Sequence, residues 1–305
     1  MIRSQSAQIS VVIPTYNHAQ FLEQALNSVR AQTYADWEAI VVNNYSEDNT
    51  VEVVKSFADS RIQVVNLHNH GVIATSRNEG IRRAAGRYIA FLDSDDVWYP
   101  DKLVRCVAAL ETGCDLVCHG EMWSQDGVPP RRIVYGPAWR AQYSRMLYRG
   151  NCISTSATVI RKALLDRLGG FSEDPAMVTA EDYDLWLRIA RNTNRLCFIP
   201  EVLGEYRIHG ANASKVIQRN MEAELAVIER HFALEPSADL WRQLKRRIRR
   251  ALAFYGAGRG FQAGGDYRAA MVCFWEAFKR SPLIARLYVA AALTLLTWAR
   301  AGQKT

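Results

Sequence analysis

The sequence has no apolar run long enough to cross a bilayer. Its longest uncharged apolar stretch, Leu287–Trp298, falls short of the ~20 residues that a spanning helix needs. The opening MIRSQSAQIS has no apolar core of the kind a secretory signal carries. The six cysteines, at 106, 114, 118, 152, 197 and 273, include no CxxC pair and no disulfide-like framework. Reduced thiols in a cytoplasmic protein are therefore expected. No glycine-rich loop follows the first strand pattern, which argues against a cradle for a nucleoside triphosphate. No nucleic-acid-binding module or aromatic-basic stacking platform is found either, so nucleic acid is not expected as a partner.

What is present reads as a folded chain with an anionic partner. Of the 305 residues, 49% are apolar, which excludes general disorder. A net charge of +7 favours phosphorylated small molecules or an acidic membrane surface. The first hundred residues alternate strand and helix patterns. ISVVIP (9–14), WEAIVV (37–42), IQVVN (62–66) and YIAFLD (88–93) read as strands. The intervening segments carry helical spacing, as at Phe21, Leu22, Ala25, Leu26 and Val29. Ser46 is expected to cap the second helix, with Glu47 and Asp48 in its first turn. Gly86 is expected to stop the third. Near-continuous apolar strands joined by helices predict an α/β fold with a mostly parallel, Rossmann-like sheet. Ligands of such sheets sit at the carboxyl ends of the strands, where Asn17, Asn43 and Asp93 fall.

Residues 115–160 are mixed: short strands, a helix near 138–148, and STSATVI as another strand. EDYDLWLRIAR (181–191) is a helix. From about Ala211 the chain turns almost wholly helical, and DYRAAMVCFWEAFKRSP (266–282) resembles a single tetratricopeptide-type helix. A boundary near 215 separates a catalytic domain, 1–215, from a helical extension, 216–305.

The densest chemistry lies in YIAFLDSDDVWYP. If the strand continues through it, Asp93 and Asp95 share a face. Two carboxylates held that close favour a divalent cation, with magnesium or manganese suited to oxygen donors. The same residues also suit a turn whose aspartates cap backbone donors. Composition alone leaves both open.

Three stretches in order decide how these residues are read further. SVVIPTYNHAQFLEQALNSVRAQTYADWEAIVV, GVIATSRNEGIRRAAGRYIAFLDSDDVWYPDKL and AEDYDLWLRIAR together resemble the family-two inverting glycosyltransferases, over roughly residues 9–215. The resemblance implies a nucleotide-sugar domain of the glycosyltransferase A fold. It implies that Asp93-Ser94-Asp95 is the DxD motif, with Asp95 the metal ligand and Asp93 and Ser94 near the donor. Asp96 then orients the loop or faces water. Pro14 and Tyr16 of PTYN lie at the donor, with Tyr16 packed on the nucleobase. Arg77 matches an arginine that reaches the nucleotide. Asp182 of the ED motif is the catalytic base, an ordinary carboxylate ionised at neutral pH. His209 in EYRIHGANAS is a second metal ligand or a diphosphate donor, and Arg207 a phosphate contact. One departure stands out: where the family carries an acidic residue after the second strand, this chain has Asn43 and Asn44. An asparagine such as Asn44 still reads a uracil ring but without charge-assisted strength. A UDP-sugar is thus the default donor, with dTDP- and GDP-sugars open.

The implied reaction is metal-dependent, inverting sugar transfer, with Mg2+ or Mn2+, to a glycan or polyprenyl-linked acceptor in cell-surface polysaccharide synthesis. The competing readings are a nucleotidyltransferase and a non-catalytic nucleotide-sugar-binding scaffold. WRQLKRRIRRALAFY (241–255) concentrates cations beside an apolar face of Trp241, Leu244, Ile248, Leu252 and Tyr255. It fits peripheral binding to an anionic membrane, at the inner face of the cytoplasmic membrane. It equally fits a helix packed on its neighbours with a solvated basic face.

Overall fold

A computed structural model describes residues 7–209, 216–235 and 239–302. The boundary expected near 215 and the Gly210–Ser214 part of EYRIHGANAS lie outside them. In chain order the elements are β1 (Ile9–Thr15), α1 (Ala19–Arg30), β2 (Trp37–Asn43), α2 (Thr50–Ser56), β3 (Ile62–Asn66), α3 (Ile73–Arg83), β4 (Tyr88–Phe91), β5 (Val97–Trp98), α4 (Lys102–Glu111), β6 (Leu116–Gln125) and β7 (Val128–Ile133). They continue with α5 (Tyr143–Arg149), β8 (Thr158–Arg161), α6 (Lys162–Leu168), α7 (Glu181–Asn192), β9 (Leu196–Ile208), α8 (Ile217–Ala233), α9 (Leu240–Ala263), α10 (Tyr267–Arg280) and α11 (Ala285–Gly302). The chain divides into two compact units. One takes residues up to 146, 150–175 and 181–212; the other takes 147–149, 176–180 and 213–305.

The first unit is built on one sheet. Among the described residues its order is β3-β2-β1-β4-β8-β6-β9-β5, with β7 paired to β6. The four strands read from the sequence run parallel. Beyond β4 the sheet is mixed, because β8 lies antiparallel between β4 and β6 and β9 returns parallel to β6. The α/β class holds, with a sheet more mixed than the first hundred residues suggest. One face buries Leu22, Leu26 and Val29 of α1 and Leu103, Val107 and Leu110 of α4 against Val11, Val41 and Ala90. On β4, Phe91 meets Phe171 edge-on at 5.0 Å, and Phe171 meets Trp186 of α7 at 6.2 Å. These aromatic contacts seat α7 close to the end of β4.

Several local expectations are corrected. Helix α3 ends at Arg83, where Ala84 turns extended; Gly86 does not stop it. Gly86 is instead a close-approach point. A Cβ there would lie 2.6 Å from the backbone nitrogen of Ser10, and its own N–H donates to Ser10 Oγ at 2.9 Å. Because backbone rather than a flexible side chain fills that space, Gly86→Ala is expected to cost ~1–3 kcal/mol. The check is a lower urea midpoint with an unchanged slope. Ser46 does not cap α2, which begins only at Thr50. Asp48 lies ahead of that helix and accepts from Thr50 N at 3.1 Å and from Ala19 N, the first residue of α1, at 2.9 Å. Cys114 and Cys197 are not free thiols: they form a disulfide across a sequence separation of 83. The parallel pairing that sets Val117 of β6 opposite Cys197 of β9 brings them together. Cys106, Cys118, Cys152 and Cys273 are free and buried.

In the second unit α9, α10 and α11 bury Ala251, Ala270, Phe274, Ala277, Leu287 and Ala290. The basic stretch 241–255 turns partly inward. Arg249 is buried, donating to Leu147 O at 2.9 Å and paired with Glu224 of α8, while Arg250 pairs with Glu229. Arg246 donates to the Glu235 carbonyl. Trp241 and Leu244, expected on a packed or inserted apolar face, are exposed.

Candidate active site

Parallel pairing of β1 with β2 and β4 brings the loops that follow these strands to one edge of the sheet. Pro14 lies inside β1, buried and opposite Val42, so it supplies strand backbone rather than open surface. Tyr16, just past the strand, is 51% exposed. Asn17 adopts a left-handed conformation (φ 51°) and stitches two loops together. Its N–H donates to Ser46 Oγ at 2.9 Å, and its side chain accepts from Glu47 N at 2.8 Å. The asparagines after β2 hold loops as well. Asn43 is buried; its amide donates to Asn66 Oδ1 at 2.9 Å and its oxygen accepts from Ser46. Asn44 Oδ1 accepts from Asn69 N at 2.9 Å.

The acidic stretch is a turn, not a strand. β4 ends at Phe91, and Asp96 N donates to Asp93 O at 3.0 Å. Side-chain alternation therefore does not apply, and each acid meets its own partner. Asp93 accepts from Arg77 Nη2 at 2.7 Å. Ser94 is buried, its hydroxyl 3.0 Å from His18 Nδ1. Asp95 Oδ2 lies 2.9 Å from His209 Nε2. Asp96 is buried rather than facing water and accepts from Arg207 N at 3.1 Å. Burial, followed by the charges of Asp95, Glu121 and Asp93, pushes its carboxyl well above the usual range. Arg207 clamps the same turn, donating to the Asp95 carbonyl and to Gln24, with its guanidinium 5.4 Å from the Phe21 ring centroid. Phe21 in turn stacks on His209 at 4.6 Å. The imidazole is thus oriented by a ring on one side and the Asp95 carboxylate on the other.

Arg77 is the centre of the charge arrangement. It is buried and sends Nη2 to Asp93 and Nη1 to Glu181 Oε1 at 2.6 Å. Its terminal nitrogens are engaged inside the protein, where the sequence suggested direct contact with a nucleotide. The two acids of the ED pair thereby divide their roles. Glu181 is buried on Arg77, and Asp182 is partly exposed, accepting from Tyr183 N at 2.6 Å and from Thr155 Oγ1 at 3.3 Å. Asp182 is not an ordinary carboxylate. Burial and then the neighbouring Glu181 charge raise its pKa to about 7, against the opposing pull of Arg77.

Two groups escaped the sequence reading. Glu121, buried on β6, accepts from Tyr135 OH at 2.6 Å and Ser154 Oγ at 3.2 Å, and Trp123 Nε1 donates to Tyr135 at 3.2 Å. Burial raises Glu121 to about 7. The signal was the strand-period placement of His119 and Glu121 on the face shared with Val117. Tyr45 stacks on His68 at 3.8 Å, a pairing of two loops that no local pattern announces.

Solved structures share this architecture. Staphylococcus aureus TarS 1–349 in complex with UDP superposes with a TM-score of 0.64 at 19% identity, covering 93% of this chain and 87% of that one. The mannosyltransferase PcManGT from Pyrobaculum calidifontis, in complex with GDP-Man and Mn2+, gives 0.61 at 20% identity over 97% and 84%. The fold is that of the A-type glycosyltransferases. Residues 10–169 match the model described as Glycosyl transferase family 2, and the chain belongs to that family. It is 31% identical over 205 residues to TuaG of Bacillus subtilis, a glycosyltransferase named for teichuronic acid biosynthesis, covering 66% of this chain and 79% of that one. It is 33% identical over 190 residues to Escherichia coli WfgD, a UDP-Glc:alpha-D-GlcNAc-diphosphoundecaprenol beta-1,3-glucosyltransferase, covering 61% and 71%.

Proposed function

We propose that the protein transfers a sugar, with inversion, from a nucleotide-diphosphate sugar to a hydroxyl of a glycan or polyprenyl-linked acceptor in cell-surface polysaccharide synthesis. The observation that carries this reading is that the turn after β4 presents Asp95 on His209 and Asp93 on Arg77, which also holds Glu181 beside Asp182. UDP is the default nucleotide, supported by the donor in the name of WfgD and the UDP bound to TarS. Tyr16, exposed at the end of β1, stacks on the base. Asn44, its oxygen committed to Asn69, offers its amide nitrogen to a ring carbonyl. Ser94 and Asp93 line the donor, and Arg77 acts on it by holding Asp93.

Asp95 and His209 share a hydrogen bond at 2.9 Å, and a divalent cation would take the place of the shared proton; among the described residues no third acid, histidine or cysteine joins them. The carboxylate would suit Mg2+ or Mn2+, and the imidazole tilts the pair toward Mn2+. The cation would stabilise the leaving nucleoside diphosphate as a Lewis acid. Asp182 takes the acceptor hydroxyl's proton as that oxygen attacks the anomeric carbon opposite the diphosphate. A base with a pKa of about 7 is well matched to that task. The acceptor, on a polyprenyl carrier, is met at the inner face of the cytoplasmic membrane. Among the described residues no helix is long and apolar enough to cross a membrane.

Calorimetry of UDP with Mn2+ and with EDTA tests the donor site. Tight binding is expected only with metal, and Asp95→Ala or His209→Ala should weaken it by about tenfold or more. Equal affinity in EDTA, or an unaffected Asp95→Ala variant, would remove the metal from the reading.

A further inference from the structure

The second unit leaves an apolar surface uncovered on α10 and α11. On α10 the exposed residues Arg268, Val272, Trp275 and Lys279 recur at helical spacing and form one stripe. Trp275 is 58% exposed and stacks on Phe278 at 5.3 Å. Phe278 meets Tyr288 of α11 edge-on at 6.1 Å, which makes the surface continuous across the two helices. On α11 Val289, Leu293 and Leu296 follow the same spacing, with Leu293 46% and Leu296 57% exposed. From Leu295 to Arg300 every residue is exposed, so this part of the helix stands clear of the other helices of its unit on all sides.

The charge around the patch is one-sided. Between 267 and 302 there are five cations, Arg268, Lys279, Arg280, Arg286 and Arg300, against one carboxylate, Glu276. Glu276 is itself held by Lys279 and Arg280. A symmetric contact with a second copy would press this cationic patch against itself. It would also cover one side of a segment exposed on all sides. A fluid apolar phase with an anionic surface satisfies both features.

We propose that the α10–α11 surface docks onto an anionic lipid bilayer. Trp275, Leu293 and Leu296 enter the interfacial layer, and Arg268 and Arg300, on the same helix faces, meet the headgroups, Lys279 and Arg280 being held by Glu276. Tryptophan suits that depth, with an apolar body and a polar N–H. The proposal rests on the glycosyl-transfer reading only for the location of the acceptor. It moves the contact away from 241–255, where Arg246, Arg249 and Arg250 are already engaged within the protein.

The test is sedimentation of the full chain, without donor, on vesicles of phosphatidylglycerol and phosphatidylcholine against phosphatidylcholine alone. Binding to the anionic vesicles is expected, with a blue shift of tryptophan emission. Leu293→Glu and Leu296→Glu, both at exposed positions, should each weaken it on the order of tenfold while melting as the unaltered protein does. Arg242→Glu with Lys245→Glu on α9 should leave most of it. No vesicle binding, or a loss caused only by the α9 changes, would overturn the proposal. So would a dimer by light scattering that Leu293→Glu abolishes while vesicles bind nothing, since the occupant would then be a second copy. UDP titration separates this from the transfer reading. Lost vesicle binding with intact UDP binding removes only the docking face. Vesicle binding without UDP binding supports the docking face and removes the transfer reading.

Discussion

Replacing Asp182 by asparagine is expected to lower sugar transfer by ~10²–10⁴-fold while donor affinity stays near that of the unaltered protein. The amide keeps the size and most of the hydrogen bonding but cannot take a proton. The unaltered enzyme should also show a pH profile set by this group. Its pKa of about 7 means that the carboxyl holds its proton in acid and becomes a base as pH rises. Transfer should therefore climb through about pH 7 and level off above it, and the asparagine variant should lose that limb. The same shift has a stability sign. The folded protein holds the proton more tightly than the unfolded chain, so the contribution is full in acid and is lost as pH rises through about 7. Undiminished transfer in Asp182→Asn, measured with an identified donor and acceptor, would place the base elsewhere.

Arg77→Met is expected to be the most damaging single change to stability. It would strand Asp93 and Glu181 without the guanidinium that lies 2.7 and 2.6 Å from them. Removing one partner from a buried ionic arrangement costs ~3–5 kcal/mol. Chemical denaturation should show it as a large drop in midpoint. Arg77→Lys should recover only part, because a single ammonium does not span two carboxylates as a planar fork does. Arg77 also pulls the Asp182 pKa down, so the pH limb of any residual transfer should move upward. An unchanged denaturation midpoint would show that the buried network is not what holds these segments together.

The sequence carried the first four strands because each is a short apolar run bounded by turn residues, with helical spacing between. It singled out Asp93, Asp95, Arg77, Asp182 and His209 because ordered motifs resembled a family. What it did not carry is long-range. Arg77 meets Glu181 across 104 positions, and nothing local announces that pairing. Asp182 read as an ordinary carboxylate because desolvation is a property of the fold. Cys114 and Cys197 looked unpaired because only the β6–β9 pairing brings their backbones within 6.0 Å. The arginines of 241–255 looked solvated because their partners, Glu224 and Glu229, lie on another helix. The mixed half of the sheet was hidden because its strand order and directions come from pairings between distant segments, β8 antiparallel to β4 and β6 and β9 parallel to β6.

The asparagines that follow β2 have a consequence of their own. The loops beyond β2 and β3 are joined by neutral amides, Asn43 to Asn66 and Asn44 to Asn69. The acid turn after β4 is joined by ionisable groups, Asp95 to His209 and Asp93 to Arg77. Salt and protons act on charges and leave amides nearly untouched. The asparagine contacts are therefore little affected by salt, whereas the charged contacts of the acid turn are exposed to it. A change in ionic strength would register at the Asp95–His209 and Asp93–Arg77 contacts before it registers at the amide contacts of Asn43 and Asn44.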